Sequence, residues 1–329
     1  MKKFLLALAV VSVAAVACND DDDAPVPVSV TSVTINQGPA MYASMAVGAA
    51  MPTLSVTVKP DDATNKTMEW SVSANTAVTI DKNTGKLTRT DAALTEPIEV
   101  TVQARSVNGV DGTAKLYLTP EAPAGYGVID SIKHLANFYM LDRNVGASAV
   151  GTSGNYYQWG RNAVVATEGA TAVNGSFDYN VTWAAPASWA TAASPCPDGW
   201  RLPTQAELEL IKSLTLPYFD NLAMEDFGMD PSYTEEQAAE SLRIYNMLKM
   251  ANSGMFQVKD TDGDGMISAG EVSKYMAMAS APTFWSSDVV TGTTGLLGMS
   301  LAYNFANNLI PAVEKTRPVM FAMPVRCVR

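Results

Sequence analysis

Between residues 28 and 119, apolar and polar residues alternate with a period of two in seven short runs, at 30–35, 54–58, 68–72, 78–80, 86–88, 98–104 and 114–118. That period sends successive side chains to opposite faces of an extended chain, so each run can bury one face only as a strand. Valine and threonine recur in the runs, and the turn formers Pro60-Asp61-Asp62, Asn83-Thr84-Gly85 and Asn108-Gly109 separate them. About seven short strands in so short a stretch read as an antiparallel all-β sandwich.

Four segments within it are distinctive: Val30-Thr31-Ser32-Val33-Thr34-Ile35, the stretch from 58 to 66 containing Pro60-Asp61-Asp62-Ala63, Trp70-Ser71-Val72-Ser73, and Ala77-Val78-Thr79-Ile80-Asp81 running on to Gly85-Lys86-Leu87-Thr88. Together they resemble the group-2 bacterial Ig-like domain. The resemblance implies a spacer or adhesion module on a cell surface, with Trp70 packed between the sheets and no catalytic residues.

The chain opens Met1-Lys2-Lys3, continues with an apolar run over 4–16 and reaches Ala17-Cys18. A basic start, a short apolar run and small residues form the layout of a signal peptide, and the run is too short for a membrane-spanning helix. Ala15-Val16-Ala17-Cys18 resembles a bacterial lipobox, which implies lipidation of Cys18 after removal of residues 1–17; the alternative is a plain secretory signal cleaved near Ala17. The next residues, Asn19-Asp20-Asp21-Asp22-Asp23, are mutually repelling carboxylates that stay solvated, so 18–27 reads as a tether. An acidic run at this point also resembles the surface-export signal of lipoproteins from Bacteroides-type bacteria, which implies a surface-exposed position on the outer membrane, the membrane being met through the lipid alone. A simple spacer is the other reading.

Loss of residues 1–17 removes two lysines and leaves 20 basic against 33 acidic residues, a formal charge of −13. An acidic chain without a lysine or arginine run argues against nucleic acid as a partner. The single histidine, His134, rules out a multi-histidine zinc site and reads as an ordinary surface or edge-strand residue.

With Cys18 assigned to lipid, Cys196 and Cys327 remain, an even number in an oxidising compartment, and a disulfide between them is expected. Two reduced, buried cysteines would be the reading for a cytosolic protein. Cys196 opens a rigid turn, Pro197-Asp198-Gly199, followed by Trp200-Arg201-Leu202-Pro203 and a capping box, Thr204 with Glu207, that starts a helix over about 205–213. Pro120 to Gly127 has the proline and glycine content of a linker, taken as 120–129.

Beyond the linker come Phe138-Tyr139-Met140-Leu141-Asp142-Arg143-Asn144, then Asn155-Tyr156-Tyr157-Gln158-Trp159-Gly160, the Cys196 turn, Phe284-Trp285-Ser286-Ser287-Asp288, and the ending Val325-Arg326-Cys327-Val328. In that order they resemble the Fibrobacter succinogenes major paralogous (FISUMP) domain over 130–329. The resemblance implies an α+β, C-type-lectin-like fold and supports the Cys196 to Cys327 crosslink. The chain departs from it by a long insertion at about 214–281. Tyr156, Tyr157, Trp159, Trp183, Trp189, Trp200 and Trp285 invite a saccharide-stacking role, but Trp159, Trp200 and Trp285 are expected to fill the core. The irregular stretch 163–194 is the better place for ligand contact, the ligand itself being unknown.

Inside the insertion, Asp260-Thr261-Asp262-Gly263-Asp264-Gly265-Met266-Ile267-Ser268-Ala269-Gly270-Glu271 has the spacing of a twelve-residue EF-hand loop. A hard Ca²⁺ ion takes oxygen ligands, so Asp260, Asp262 and Asp264 would give carboxylates, Met266 its carbonyl, Ser268 its hydroxyl or a water, and Glu271 two oxygens. Gly265 would permit the sharp turn and Ile267 would point to the core; a merely solvated acidic loop is the alternative. The flanks are read as an amphipathic helix over 234–252, with Leu242, Tyr245 and Leu248 on one face and Gly254 as its breaker, and an exiting helix over 269–278. The insertion is thus expected to be helical and EF-hand-like, and calcium to be a structural clip.

Three functions compete. The first is a cell-surface lipoprotein displaying a calcium-stabilised lectin-like domain for adhesion or for glycan or protein recognition. The second is a structural or accessory subunit of a surface assembly such as a pilus. The third, an enzyme by analogy with formylglycine-generating enzymes, needs reactive cysteines that the expected disulfide would consume, so no enzyme activity is expected.

Overall fold

The computed structural model describes residues 26–90, 94–179, 189, 194–226, 230–251, 253–275, 282–292, 295–304, 312–313 and 316–329. The signal segment, Cys18, most of the tether and Trp183 lie outside these residues.

Among the described residues the first module has eight strands: β1 Ser32–Ile35, β2 Ala40–Ser44, β3 Val56–Lys59, β4 Met68–Val72, β5 Val78–Ile80, β6 Leu87–Arg89, β7 Ile98–Ser106 and β8 Asp111–Thr119. Burial alternates as the period of two requires: Val33 and Ile35 face inward on β1, and Val100, Val102 and Ala104 are fully buried on β7. One sheet runs β2-β8-β7-β4, and β1 with β3 and β5 with β6 form further antiparallel pairs. Trp70 is buried in this core. Its indole lies so close to Gly85 that a Cβ there would stand 2.6 Å from the ring, and Gly85 has φ +69°, so glycine is required on both counts.

Two points differ from the sequence reading. β2 was not foreseen, because Ala40-Met41-Tyr42-Ala43-Ser44 has little β-branched content, yet Met41 and Ala43 are buried in register. β2 also runs parallel to β8, Ala40 opposite Lys115 through Ser44 opposite Thr119, so the module is not wholly antiparallel.

The second module continues with β9 Val128–Ile129, α1 Lys133–Ala136, β10 Met140–Leu141, β11 Tyr156–Gln158, α2 Gln205–Asp226, α3 Glu235–Met247, β12 Met255–Val258, β13 Val272–Tyr275, β14 Thr283–Gly292, β15 Gly295–Asn304, β16 Ala312–Val313, β17 Thr316–Pro318 and β18 Ala322–Pro324. One sheet has the order β11-β18-β12-β13; another is β14-β15-β16 with β17 also on β15. The helices pack over Ile132, Phe138, Met140, Phe284 and Val328, while the tryptophans Trp159, Trp189, Trp200 and Trp285 fill a neighbouring core. Among the described residues no helix is long and apolar enough to cross a membrane.

Three helical expectations need correction. α2 does not stop near 213 but continues to Asp226 through Pro217. A proline there removes a helical donor and crowds the preceding turn. The next amide, Tyr218, turns instead to the Ser241 hydroxyl of α3 at 3.1 Å, so packing against α3 carries the helix across the proline. α3 ends at Met247, and its buried face is Ser241, Ile244 and Leu248, with Leu242 and Tyr245 half-buried.

The expected helix over 269–278 is a single 3₁₀ turn, Ala269–Glu271, followed by the strand β13; residues 276–278 lie outside those described. β13 pairs antiparallel with β12, Val258 opposite Val272 and Met255 opposite Tyr275. Among the described residues the insertion's α-helices therefore lie in its first half. Its second half is a β-hairpin added to the domain's sheet, because Val272 and Tyr275 gain more by packing on that sheet than as part of a separate helix.

His134 sits on α1, not on an edge strand, and its Nδ1 lies 3.1 Å from the Tyr42 hydroxyl of the first module.

Candidate functional site

The frame that holds the second module is built from the turn at Cys196 and its last residues. Cys196 and Cys327 are bonded, with Cα atoms 5.8 Å apart and 131 positions between them in sequence. Beside them Arg201 and Val328 exchange backbone hydrogen bonds of 2.9 and 2.8 Å. The capping box is present: the Glu207 amide donates to the Thr204 hydroxyl at 3.2 Å, and the Thr204 amide donates to the Glu207 carboxylate at 2.7 Å. Arg201 adds a two-pronged ion pair to Glu207 at 2.7 and 2.8 Å.

Trp159, Trp200 and Trp285 are core residues, as expected. The indole of Trp159 donates to the Ser286 carbonyl at 3.0 Å and that of Trp285 to the Tyr157 carbonyl at 2.8 Å, so each ring satisfies its N–H on the segment carrying the other. Tyr156, Tyr157 and Trp189 are buried as well, which removes them from any open stacking platform.

The acidic loop 260–271 forms the tip of the β12–β13 hairpin, closed at its base by the Lys259 amide donating to the Glu271 carbonyl at 3.0 Å. Asp260, Asp262 and Asp264 are exposed, and one carboxylate oxygen from each lies within 4.8 Å of the others. Asp260 accepts from the amides of Gly263 at 2.6 Å and Gly265 at 3.0 Å, and both glycines have positive φ, 76° and 78°. Met266 is exposed and Ile267 half-buried.

Glu271 is buried, and its oxygens are taken by the Thr261 amide and hydroxyl at 2.6 and 2.9 Å and by the Ser268 amide and hydroxyl at 2.9 and 3.1 Å. Those amides, with the two hydroxyls, hold the carboxyl down to about 2. The structure thus brings the three aspartates together and keeps Glu271 ionised at the loop's base. Ser268 is turned to Glu271 and not to the aspartates. An all-oxygen, anionic donor set of this kind fits a hard cation such as Ca²⁺, with Asp260, Asp262 and Asp264 as its first ligands.

The irregular segment 164–179 rests on the same hairpin. Its Val165, Ala166 and Phe177 form one core with Tyr156 of β11, Phe256 of β12 and Ala322 of β18. Lys274 of β13 donates its ammonium to the Ala170 carbonyl at 2.9 Å and lies over the rings of Tyr156 and Phe256, 5.3 and 5.7 Å from their centroids. Burial lowers its pKa. Sequence reasoning passed over Lys274, since it fell in an expected helix; a period-two reading of 272–275 would have placed it on a strand face. Residues 180–188 and 190–193 of the expected ligand region lie outside the described residues.

Comparison with known families bears on the first module. Residues 29–113 match the bacterial Ig-like domain (group 2). Such domains are typical of extracellular or surface proteins. The match agrees with the eight-stranded module and its buried Trp70. No curated protein matches the chain.

Proposed function

We propose that the chain is a cell-surface lipoprotein, held in the outer membrane through an acyl group on Cys18, whose Ig-like stalk presents a calcium-stabilised, C-type-lectin-like module for adhesion to a glycan or a glycosylated protein. The reading is carried by one observation: an Ig-like module of an extracellular type leads into a disulfide-closed module in which an irregular segment, 164–179, is mounted on a packed sheet. Loops held by rigid scaffolds are where recognition concentrates. In this reading Asp260, Asp262, Asp264 and the Met266 carbonyl hold the ion, Ser268 and Glu271 join them only by exchanging the hydrogen bonds they make with each other and with Thr261, and calcium fixes the hairpin tip without taking part in any reaction.

Chain lacking residues 1–18, applied to glycan and glycoprotein arrays in millimolar calcium, tests the recognition role. Selective binding that weakens when the exposed Thr167, Thr171 and Ser176 are replaced by alanine, which leaves the buried Val165, Ala166 and Phe177 in place, supports it. Blank arrays, together with recovery of the protein in fixed stoichiometry with one partner after crosslinking on cells, would transfer the function to a surface assembly.

A further inference from the structure

The acidic loop and the irregular segment 164–179 are far apart in sequence but share one hairpin. β12 and β13 carry the loop at their tip and, on their flank, present Phe256, Val258, Val272 and Lys274 to Val165, Ala166, Val173 and Phe177. Lys274 stands three positions after Glu271 and directly opposite Phe256, which is itself opposite Ala322 of β18. Among the described residues no carboxylate pairs with the Lys274 ammonium within 4.0 Å; its one hydrogen-bond acceptor is the Ala170 carbonyl in the irregular segment, and its other contacts are the Tyr156 and Phe256 rings. A cation held only by a loop carbonyl and two ring faces keeps its geometry only while the strand beneath it is formed.

We infer that Lys274 is a positioning residue that couples the acidic loop to segment 164–179, so that calcium at the hairpin tip orders the segment through β13. The inference rests on the calcium reading of residues 260–271. The physical route is short: closing the loop fixes the base pair of Lys259 and Glu271, that base sets the pairing of Val258 with Val272, and two residues further along Lys274 grips Ala170. Opening of β13 would release both ends at once, which makes them one cooperative unit.

Hydrogen exchange read by mass spectrometry, on the chain lacking residues 1–18 with about 5 mM calcium or with chelator, tests this. A site of extracellular affinity slows openings that expel the ion by about sixfold to fiftyfold. In the wild type, peptides from both 259–271 and 164–179 should slow by that factor. In Lys274→Met the first should slow as before and the second should not respond; Lys274→Arg, which keeps the charge and the donor, should restore the response. Slowing confined to 259–271 in the wild type would leave the calcium site standing and overturn the coupling. An unchanged response of 164–179 in Lys274→Met would overturn it equally. No slowing at 259–271 would remove the calcium site, and the coupling with it.

Discussion

Arg326 Nη2 donates to the Leu248 carbonyl at 2.7 Å, joining the end of the chain to the C-terminal cap of α3. The same guanidinium donates to the Leu141 carbonyl at 2.6 Å and the Lys249 carbonyl at 3.4 Å, and the side chain is fully buried. Burial pushes its pKa down, Asp142 pulls it up, and Arg143 adds to the lowering. The acceptors at 248 and 249 form the negative end of α3, so the helix itself helps to stabilise the buried charge. A lysine ammonium is a point donor and cannot span carbonyls on two elements. Arg326→Lys should cost about 2–3 kcal/mol, and Arg326→Met more; denaturant midpoints of the second module that stay in place would contradict this.

The crosslink makes the second prediction. Joining residues 131 positions apart restricts the unfolded chain by about 5 kcal/mol in the chain-entropy description. Reductant should therefore lower the unfolding free energy of the second module by up to that amount, read as a lower denaturation midpoint. The Ig-like module, whose core contains neither cysteine, should unfold as before, which provides an internal control.

Features set by local chemistry could be read from the chain. The Thr204 and Glu207 box, the Trp70 strand, the two turns at Asn83-Thr84-Gly85 and Asn108-Gly109, and the three aspartates at alternate positions each depend on neighbours within a few residues. What escaped depends on distant partners. β2 is a strand because β8 lies beside it, α2 passes Pro217 because Ser241 accepts the displaced amide, and residues 272–275 form a strand because β12 already lies against β18. Arg326 could be seen as part of an alternating ending, but not as the donor to α3, since nothing near it in sequence names Leu248.

Glu207 should give the second module an acid-sensitive limb. Burial alone pushes its carboxyl up; the Arg201 guanidinium and the Thr204 amide and hydroxyl together outweigh this and place it below the usual 4.5. A carboxyl held down in the folded state contributes stability that is complete above 4.5 and is lost as the pH falls below that value toward the folded one. Glu207→Gln keeps a capping acceptor but not the ion pair, and should cost at most about 1 kcal/mol at pH 7. The gap between wild type and variant should narrow as the pH falls below 4.5. A gap that stays constant as the pH falls through 4.5 and below would show that the Glu207 charge adds nothing to the fold.

Calcium removal is the last test, and the choice of variant matters. Glu271 already organises the loop through Thr261 and Ser268, so Glu271→Gln would loosen residues 260–271 with or without an ion. Among the described residues Asp262 accepts only the Asp264 amide, at 3.2 Å, so Asp262→Asn removes a charge from the three-aspartate cluster while leaving the Glu271 network in place. For an affinity of about 10⁻⁴ to 10⁻³ M, about 10 mM calcium stabilises the folded chain by about 1–3 kcal/mol. Thermal melts of the wild type should shift upward on replacing chelator with calcium, and those of Asp262→Asn should shift less while coinciding with the wild type in chelator. Coincident wild-type curves in calcium and chelator would leave the loop a solvated acidic turn, stabilised by its own hydrogen bonds to Asp260 and Glu271.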